Sequence, residues 1–418
     1  MSSSDSGLLS FDELKPLIKA AKDEGFLSSD DSIVNFYNFR VLNDRLTAVK
    51  NAFPDFWEHS IAVKSNPLTK VLSRATSQGF GLEAASYEET LQAERCDAPF
   101  IVWDSPVKTL REISAVWKST RQVFINANGL DEFHRLQSIL AHDKPKNISI
   151  GLRINPEHAT SAQQSMQVGG PRSKFGEPIS NRADLINALT SATVPFGLHV
   201  HSSSQNLQTK ETVAAIKKVY NLASEIGWEK LAYFDLGGGF PVDYGFSPVE
   251  TIDAYADQLQ AVMPKLFDGS IKVITEFGRY YHANAGWTIS QVAEVKRFEG
   301  HQTIIQHAGA DLFLRECYEP GKWPHRLFLL SEHQQSTELN TDIGGPLCFG
   351  GDYIAKSVRL PEAHENDRLV IMDTGANSYA LWSMHCSRPF PKVIGYDGRN
   401  LFVLKDRQSS EEAIALWG

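Results

Sequence analysis

From about residue 40 onward, short apolar runs alternate with stretches patterned as amphipathic helices. The runs are Ser60–Val63, Phe80–Ala84, Phe100–Trp103, Val123–Ile125, Ile148–Ile154, Phe196–Val200, Ala232–Leu236 and Ile271–Thr275, eight in all. Between them lie segments such as Leu130–Ala141 and Thr209–Ile226, whose apolar residues recur along one helical face. That rhythm marks βα units and a parallel sheet. Eight successive strands predict an α/β chain with a closed (β/α)8 TIM-type barrel. A six-stranded Rossmann domain with extra units is the competing topology.

The texture changes after residue 285. Strand-like runs follow at short spacing, at Thr288–Val295, Thr303–His307, Arg326–Leu330, Tyr353–Leu360, Arg368–Met372 and Asn400–Leu404. Gly, Pro and Asp separate them. The pattern predicts a C-terminal β-domain, sandwich-like or barrel-like, over 286–418, with the barrel over 39–285. The Ser/Asp-rich start carries an amphipathic stretch, Phe11–Ala21, and a short strand, Ile33–Tyr37. Residues 1–38 are expected to join the β-domain.

Composition narrows the function. The 418 residues are 42% hydrophobic and 22% charged, with a net charge of −9. An acidic chain repels nucleic-acid phosphates and anionic lipid heads. No run of about 18 apolar residues is present to span a bilayer, and the polar start lacks the features of a secretory signal. The four cysteines, Cys96, Cys317, Cys348 and Cys386, form no CxxC pair. Zinc and disulfide chemistry are therefore not expected, no metal is expected, and a cytoplasmic location is.

Polar residues gather where barrel enzymes keep their chemistry, at the C-terminal ends of the strands. Lys64 follows the first run and Glu83 ends the second. Arg153 ends the fifth, and His199 and His201 close the sixth, before Ser202, Ser203 and Ser204. Gly237, Gly238 and Gly239 follow the seventh, and Glu276, Gly278 and Arg279 the eighth. Glycines after late strands expose backbone N–H groups to a phosphate, although for a triple glycine alone a flexible turn is the favoured reading. A desolvated lysine amine can bond an aldehyde carbon. Lysine, phosphate cradle and a carboxylate for a ring nitrogen are together what pyridoxal phosphate requires.

At these residues the chain resembles the fold type III decarboxylases, the ornithine/diaminopimelate/arginine group, and within it the diaminopimelate decarboxylase-like proteins. The blocks are AVKSNP at 62–67, GLRINP at 151–156, SKFG at 173–176, HVHSSSQ at 199–205, DLGGGFP at 235–241, EFGR at 276–279, GPLCFGGD at 345–352 and DTGAN…SRP at 373–389. The resemblance implies a pyridoxal 5'-phosphate-dependent lyase that removes CO2 from the α-carbon of an amino acid. It implies that Lys64 carries the cofactor, that His201 stacks on its ring and that Glu276 pairs with its nitrogen. Ser204, Gly238, Gly239, Gly278 and Arg279 would hold the phosphate, with Glu83 and Arg153 close to the lysine. Cys348 would return a proton to the substrate from the partner subunit of a homodimer.

Departures from the family pattern bear on the substrate. Phe349 follows Cys348, where relatives acting on diamino acids carry an acid, so a distal ammonium would meet a phenyl ring. Asp352 or Glu316 would have to compensate. Asn377 replaces the family's cofactor-contacting tyrosine, with Tyr379 two residues on. Arg315 falls near the arginine that receives a distal carboxylate. Phe349, Tyr379, Trp382 and Met384 are read either as an apolar pocket wall or as β-domain core. The resulting expectation is a substrate that is not a simple diamino acid. The alternatives are diaminopimelate or ornithine/lysine decarboxylase proper, a fold type III racemase, and a non-catalytic relative that binds a regulator.

Overall fold

A computed structural model describes residues 8–143, 145–333 and 337–418. The chain divides into two compact units. One comprises 44–242 and 249–281; the other comprises 1–43, 243–248 and 282–418. The first strand in chain order, β1 (Ile33–Asn38), belongs to the second unit.

The first unit is a closed parallel barrel. Its strands are β2 (Glu58–Ala62), β3 (Gly81–Ala84), β4 (Phe100–Trp103), β5 (Gln122–Ala127) and β6 (Ile148–Asn155), to which a two-residue strand, β7 (Glu177–Pro178), is added outside the ring. β8 (Phe196–His199), β9 (Leu231–Asp235) and β10 (Lys272–Phe277) complete it. Neighbours run β5-β4-β3-β2-β10-β9-β8-β6, and the β5–β6 pairing closes the ring, which excludes the open Rossmann sheet. Helices cover the outside, so the strands read as buried on both faces. The helix Thr209–Ile226 turns Val213, Ile216, Val219, Tyr220 and Ala223 inward at three- and four-residue spacing. Phe100, Val102, Phe124, Tyr233 and Ile274 fill part of the interior. Tyr233 fits only because two neighbours are glycine: a Cβ at Gly197 would stand 2.1 Å from its ring, and one at Gly151 2.3 Å from its hydroxyl.

His59, near the start of β2, is buried with Nδ1 2.8 Å from Thr275 Oγ1. Burial, helped by Lys50, pushes its imidazole down to about 4. Because the folded value lies below the unfolded one, the unfolded chain binds the extra proton first. Stability from this group is therefore intact above pH 6.5 and drains away as pH falls towards 4, by about 3 kcal/mol. His59→Gln is expected to flatten the decline in melting temperature across that window. An unchanged acid limb would contradict it.

The second unit is a nine-stranded, mostly antiparallel sheet. It contains β1, β11 (Gly286–Phe298), β12 (His301–Gln306), β13 (Leu327–Leu330), β14 (Glu338–Gly344), β15 (Tyr353–Pro361), β16 (Arg368–Met372), β17 (Lys392–Tyr396) and β18 (Leu401–Lys405). β1 sits between β11 and β17, antiparallel to the first and parallel to the second. Leu14 and Ile18 of the N-terminal helix Phe11–Asp23 pack with Val34, Phe36, Trp287, Ile289, Val370 and Ile394 in one apolar cluster. Among the described residues no helix is long and apolar enough to cross a membrane.

Candidate active site

β2 runs directly into one 3-10 turn, Val63–Ser65, which Ser65 Oγ ties to Ala62 O at 2.6 Å. The turn carries Lys64 at the C-terminal end of the barrel. Its side chain is 48% exposed, and Nζ donates to Oε2 of Glu83, which is wholly buried at the end of β3. Asp104, the residue after β4, accepts from Arg153 Nη1 at 3.3 Å. His199, ending β8, places Nε2 3.4 Å from Glu276 Oε2 and 4.0 Å from Asp104 Oδ2. Asp235, ending β9, accepts from Gly237 N at 2.9 Å and Asn126 Nδ2 at 3.3 Å. Asn126 in turn accepts from the Tyr233 hydroxyl at 2.6 Å.

The electrostatics follow from crowding acids beside one amine. Burial alone would favour a neutral Lys64, but Glu83, Asp104 and Glu276 overcome it and hold the amine above its usual range. Burial drives the Glu83 carboxyl well up, more than Lys64 brings it down. Asp104 is also buried, yet Lys64, the hydrogen bond with Glu83 and Arg153 keep it well below the carboxylate range. Burial and the neighbouring Glu276 raise Asp235. His201 is pushed well down by burial, with Arg153 and Lys64 adding to the effect. Its ring is thus neutral, and Nδ1 accepts from Gly238 N at 3.0 Å.

The glycine loop is packed tightly against the loop after β8. Gly239 has φ +98°, and a Cβ there would lie 2.0 Å from Ser203 O; one at Gly238 would lie 2.3 Å from Glu276 O. Any side chain would therefore dislodge the loop. Ser202 O receives Val168 N and Gly169 N at 3.0 and 2.7 Å, and Ser204 N donates to Met166 O at 3.0 Å. The Ser202 and Ser203 hydroxyls and Glu276 Oε1 are buried without a hydrogen-bond partner among the described residues. Gly278 lets β10 approach β2, since a Cβ would stand 2.9 Å from Ala62 and Ser65. Arg279 opens the turn Arg279–His282. Lys64, Glu83, Arg153, His201, Gly238 and Glu276 thus converge at one end of the barrel. The Gly238 amide, however, is already engaged by His201 rather than exposed for a ligand.

The remaining candidates belong to the β unit. Cys348 is exposed, and the ring of Phe349 stacks on Tyr318 at 5.0 Å and 17°. Arg315 lies over Trp323 at 5.0 Å. Asp352 is buried, Oδ1 accepts Ala310 N at 2.6 Å and Oδ2 accepts Leu347 N at 2.7 Å, so the carboxylate braces two loops. Glu316 is likewise buried, tied to His325 Nε2 at 2.9 Å. Tyr379 is buried and set edge-on to Phe390, whereas Asn377 takes a left-handed φ of +58°. Trp382 Nε1 donates to Met384 Sδ at 3.3 Å and its ring packs on Phe390.

Sequence reasoning missed Asp104 and the Asn126–Asp235 pair, and gave His199 no role. The signal was there: Asp104 directly follows an apolar run, as Lys64 does.

A family profile described as "Pyridoxal-dependent decarboxylase, pyridoxal binding domain" matches residues 40–283. Diaminopimelate decarboxylase of Deinococcus radiodurans is 28% identical over 379 residues, covering 90% of this chain and 93% of the relative. That of Archaeoglobus fulgidus is 27% identical over 393 residues, covering 90% of each. Among solved structures, diaminopimelate decarboxylase from Helicobacter pylori complexed with L-lysine superposes with a TM-score of 0.85 at 24% identity, over 95% of this chain and 99% of that one. Lysine/ornithine decarboxylase from Vibrio vulnificus complexed with cadaverine gives 0.75 at 20%, over 93% and 100%. These superpositions show a shared fold, a barrel with a separate β-domain.

Proposed function

The chain belongs to the pyridoxal-dependent decarboxylase family, and from that premise we propose that it releases CO2 from an amino acid at the mouth of its barrel. The chain is a carboxy-lyase whose cofactor is pyridoxal phosphate. The observation that carries the site assignment is Lys64 Nζ held against buried Glu83, with Glu276 Oε1 lacking a partner among the described residues at the neighbouring strand end.

Those residues fit the cofactor. Lys64 has the amine that would hold it covalently, and the unpaired Oε1 of Glu276 would accept from its protonated ring nitrogen. The neutral face of His201 lies beside the glycine loop. Gly239, Gly278, Ser204 and Arg279 are the proposed phosphate holders, their glycines fixed by the close approaches described above. When bound, the group supplies an electron sink for the pair released with CO2. The protein residues orient the carboxylate to be lost, exclude water and manage protons. Cys348 of the partner subunit is the proposed donor of the proton to the α-carbon, which makes the active form a homodimer.

For the substrate, full-length likeness to diaminopimelate decarboxylases supports diaminopimelate, with Arg315 receiving the distal carboxylate. One observation favours a second reading. Phe349 is stacked on Tyr318, while Asp352 and Glu316 are held by loop amides and by His325. Phe349 carries no charge and both oxygens of Asp352 are engaged, which suits a substrate with an apolar or carboxylated end; of the three, only Glu316 keeps a buried oxygen, Oε2, without a partner among the described residues. The test is CO2 release from meso-diaminopimelate, lysine, ornithine, arginine and amino acids with aromatic or carboxylated ends. Fastest turnover of diaminopimelate establishes the first reading. Fastest turnover of an acid without a distal amine establishes the second, and CO2 from none overturns both.

A further inference from the structure

The loop after β13 and the turn between β15 and β16 meet at one end of the β unit, because β13 and β16 pair antiparallel with Leu330 opposite Arg368. Three side chains with metal-ligating atoms come together there. His333 stands on the loop, and His364 and Asp367 stand on the turn. Each offers one donor atom, and the three atoms lie within 4.8 Å of one another. His364 Nδ1 is 3.8 Å from Asp367 Oδ2. The two imidazole rings have centroids 4.1 Å apart and planes inclined at 37°.

The turn needs no ion to form. Asp367 Oδ2 accepts from His364 N at 2.8 Å, and Asp367 N donates back to His364 O at 3.1 Å. Ala363 N donates to Gln302 Oε1 at 3.0 Å, and Asn366, at φ +69°, donates its N–H to Val292 O at 2.9 Å. Asp367 is thereby buried, with its carboxylate held beside His364. His364 Nδ1 is buried as well, yet it has no hydrogen-bond partner among the described residues. A buried polar atom left in that state is costly, and a bound cation would satisfy it. His333 is exposed, and only its backbone is tied down, by a bond from its N to Ser331 Oγ at 3.1 Å. Arg368, the cation next to the turn, is committed to Asp31 O at 2.8 Å and Ser28 O at 3.1 Å.

We infer that His333, His364 and Asp367 form a binding site for one late first-row divalent cation, of the Zn2+, Ni2+ or Cu2+ class. Two imidazoles and a carboxylate suit such ions, whereas Mg2+ and Ca2+ take oxygen ligands. A tetrahedral Zn2+ with bonds of about 2.1 Å needs its donors about 3.4 Å apart. His364 and Asp367 already approach that spacing at 3.8 Å, and a rotation of the exposed His333 side chain supplies the rest. The fourth position is left to water. Cysteine spacing could not announce this site, because it uses no cysteine. Its histidines are separated in sequence by the whole of β14 and β15, and strand pairing alone brings them together. Once bound, the ion ties the loop after β13 to the turn before β16 and clamps that end of the β unit. The inference stands apart from the cofactor and from the decarboxylation proposed above.

The test is calorimetric titration of the untagged, cofactor-loaded protein with Zn2+, with Co2+ absorbance bands reporting the donor set. The parent is expected to take up one equivalent whose affinity falls at least about tenfold in His333→Ala and in His364→Ala, since loss of even an outer partner of a metal ligand costs that much. Zn2+ should raise the melting temperature of the parent, as a ligand of the folded state does, and raise that of neither variant. A parent that takes up no Zn2+ overturns the inference. Unchanged affinity in either variant overturns it as well, and assigns the ion to the exposed Cys348 or Cys386 thiols or to the acids at the barrel end. If His364→Ala does not fold, His333→Ala decides alone, because that side chain lies at the surface.

Discussion

Lys64→Ala is expected to give a folded protein that no longer holds cofactor covalently and releases CO2 slower by at least about 10²–10⁴-fold. The fold should tolerate the change. The lysine side chain is half exposed, and burial already drives Glu83 towards its neutral form, so little naked charge is left behind. The measurement is visible absorbance together with borohydride fixation and peptide mapping at position 64. Colour retained in the variant, or a label fixed elsewhere, would sink the assignment. A complementation experiment extends it. Mixing Lys64→Ala with Cys348→Ala chains should restore part of the activity if each site draws Lys64 from one subunit and Cys348 from the other. No recovery in verified hybrid dimers would reject the shared site.

Glu276→Gln is the second large effect. Glutamine keeps the shape, but it has no negative charge with which to hold a proton on the ring nitrogen. The ring then absorbs the released electron pair poorly, and kcat is expected to fall about 10²–10⁴-fold while the cofactor stays bound. His199, 3.4 Å from Glu276 Oε2, remains in place. Full colour with a collapsed kcat supports the role. Unchanged kcat would assign the Glu276 carboxylate to structure alone.

Much of the architecture was legible because its elements obey simple periods. Phe100–Trp103 is a continuous apolar run and Arg368–Met372 carries one after its arginine, and the structure makes them strands with those bounds. β14 was missed because ELNTDIG is mostly polar, and its strand character comes from pairing with β12 and β15. β17 was missed because glycine interrupts KVIGY; its neighbours β1 and β18 impose the extended form. At the site, residues at strand ends were readable because a barrel gathers them at one end. Asp104 escaped because an aspartate before Ser-Pro reads as a turn residue. The bracing by Asp352 was not legible either, because only coordinates reveal two backbone amides on its carboxylate.

The placement of β1 has a consequence for biosynthesis. Both of its hydrogen-bonding neighbours, β11 and β17, are encoded after the entire barrel. On the ribosome the opening strand must therefore wait, edges bare, while the barrel has all the residues it needs to close. Translation stalled before β11 would strand a sticky ribbon on a finished enzyme core, a natural handle for chaperones and a natural seed for aggregation.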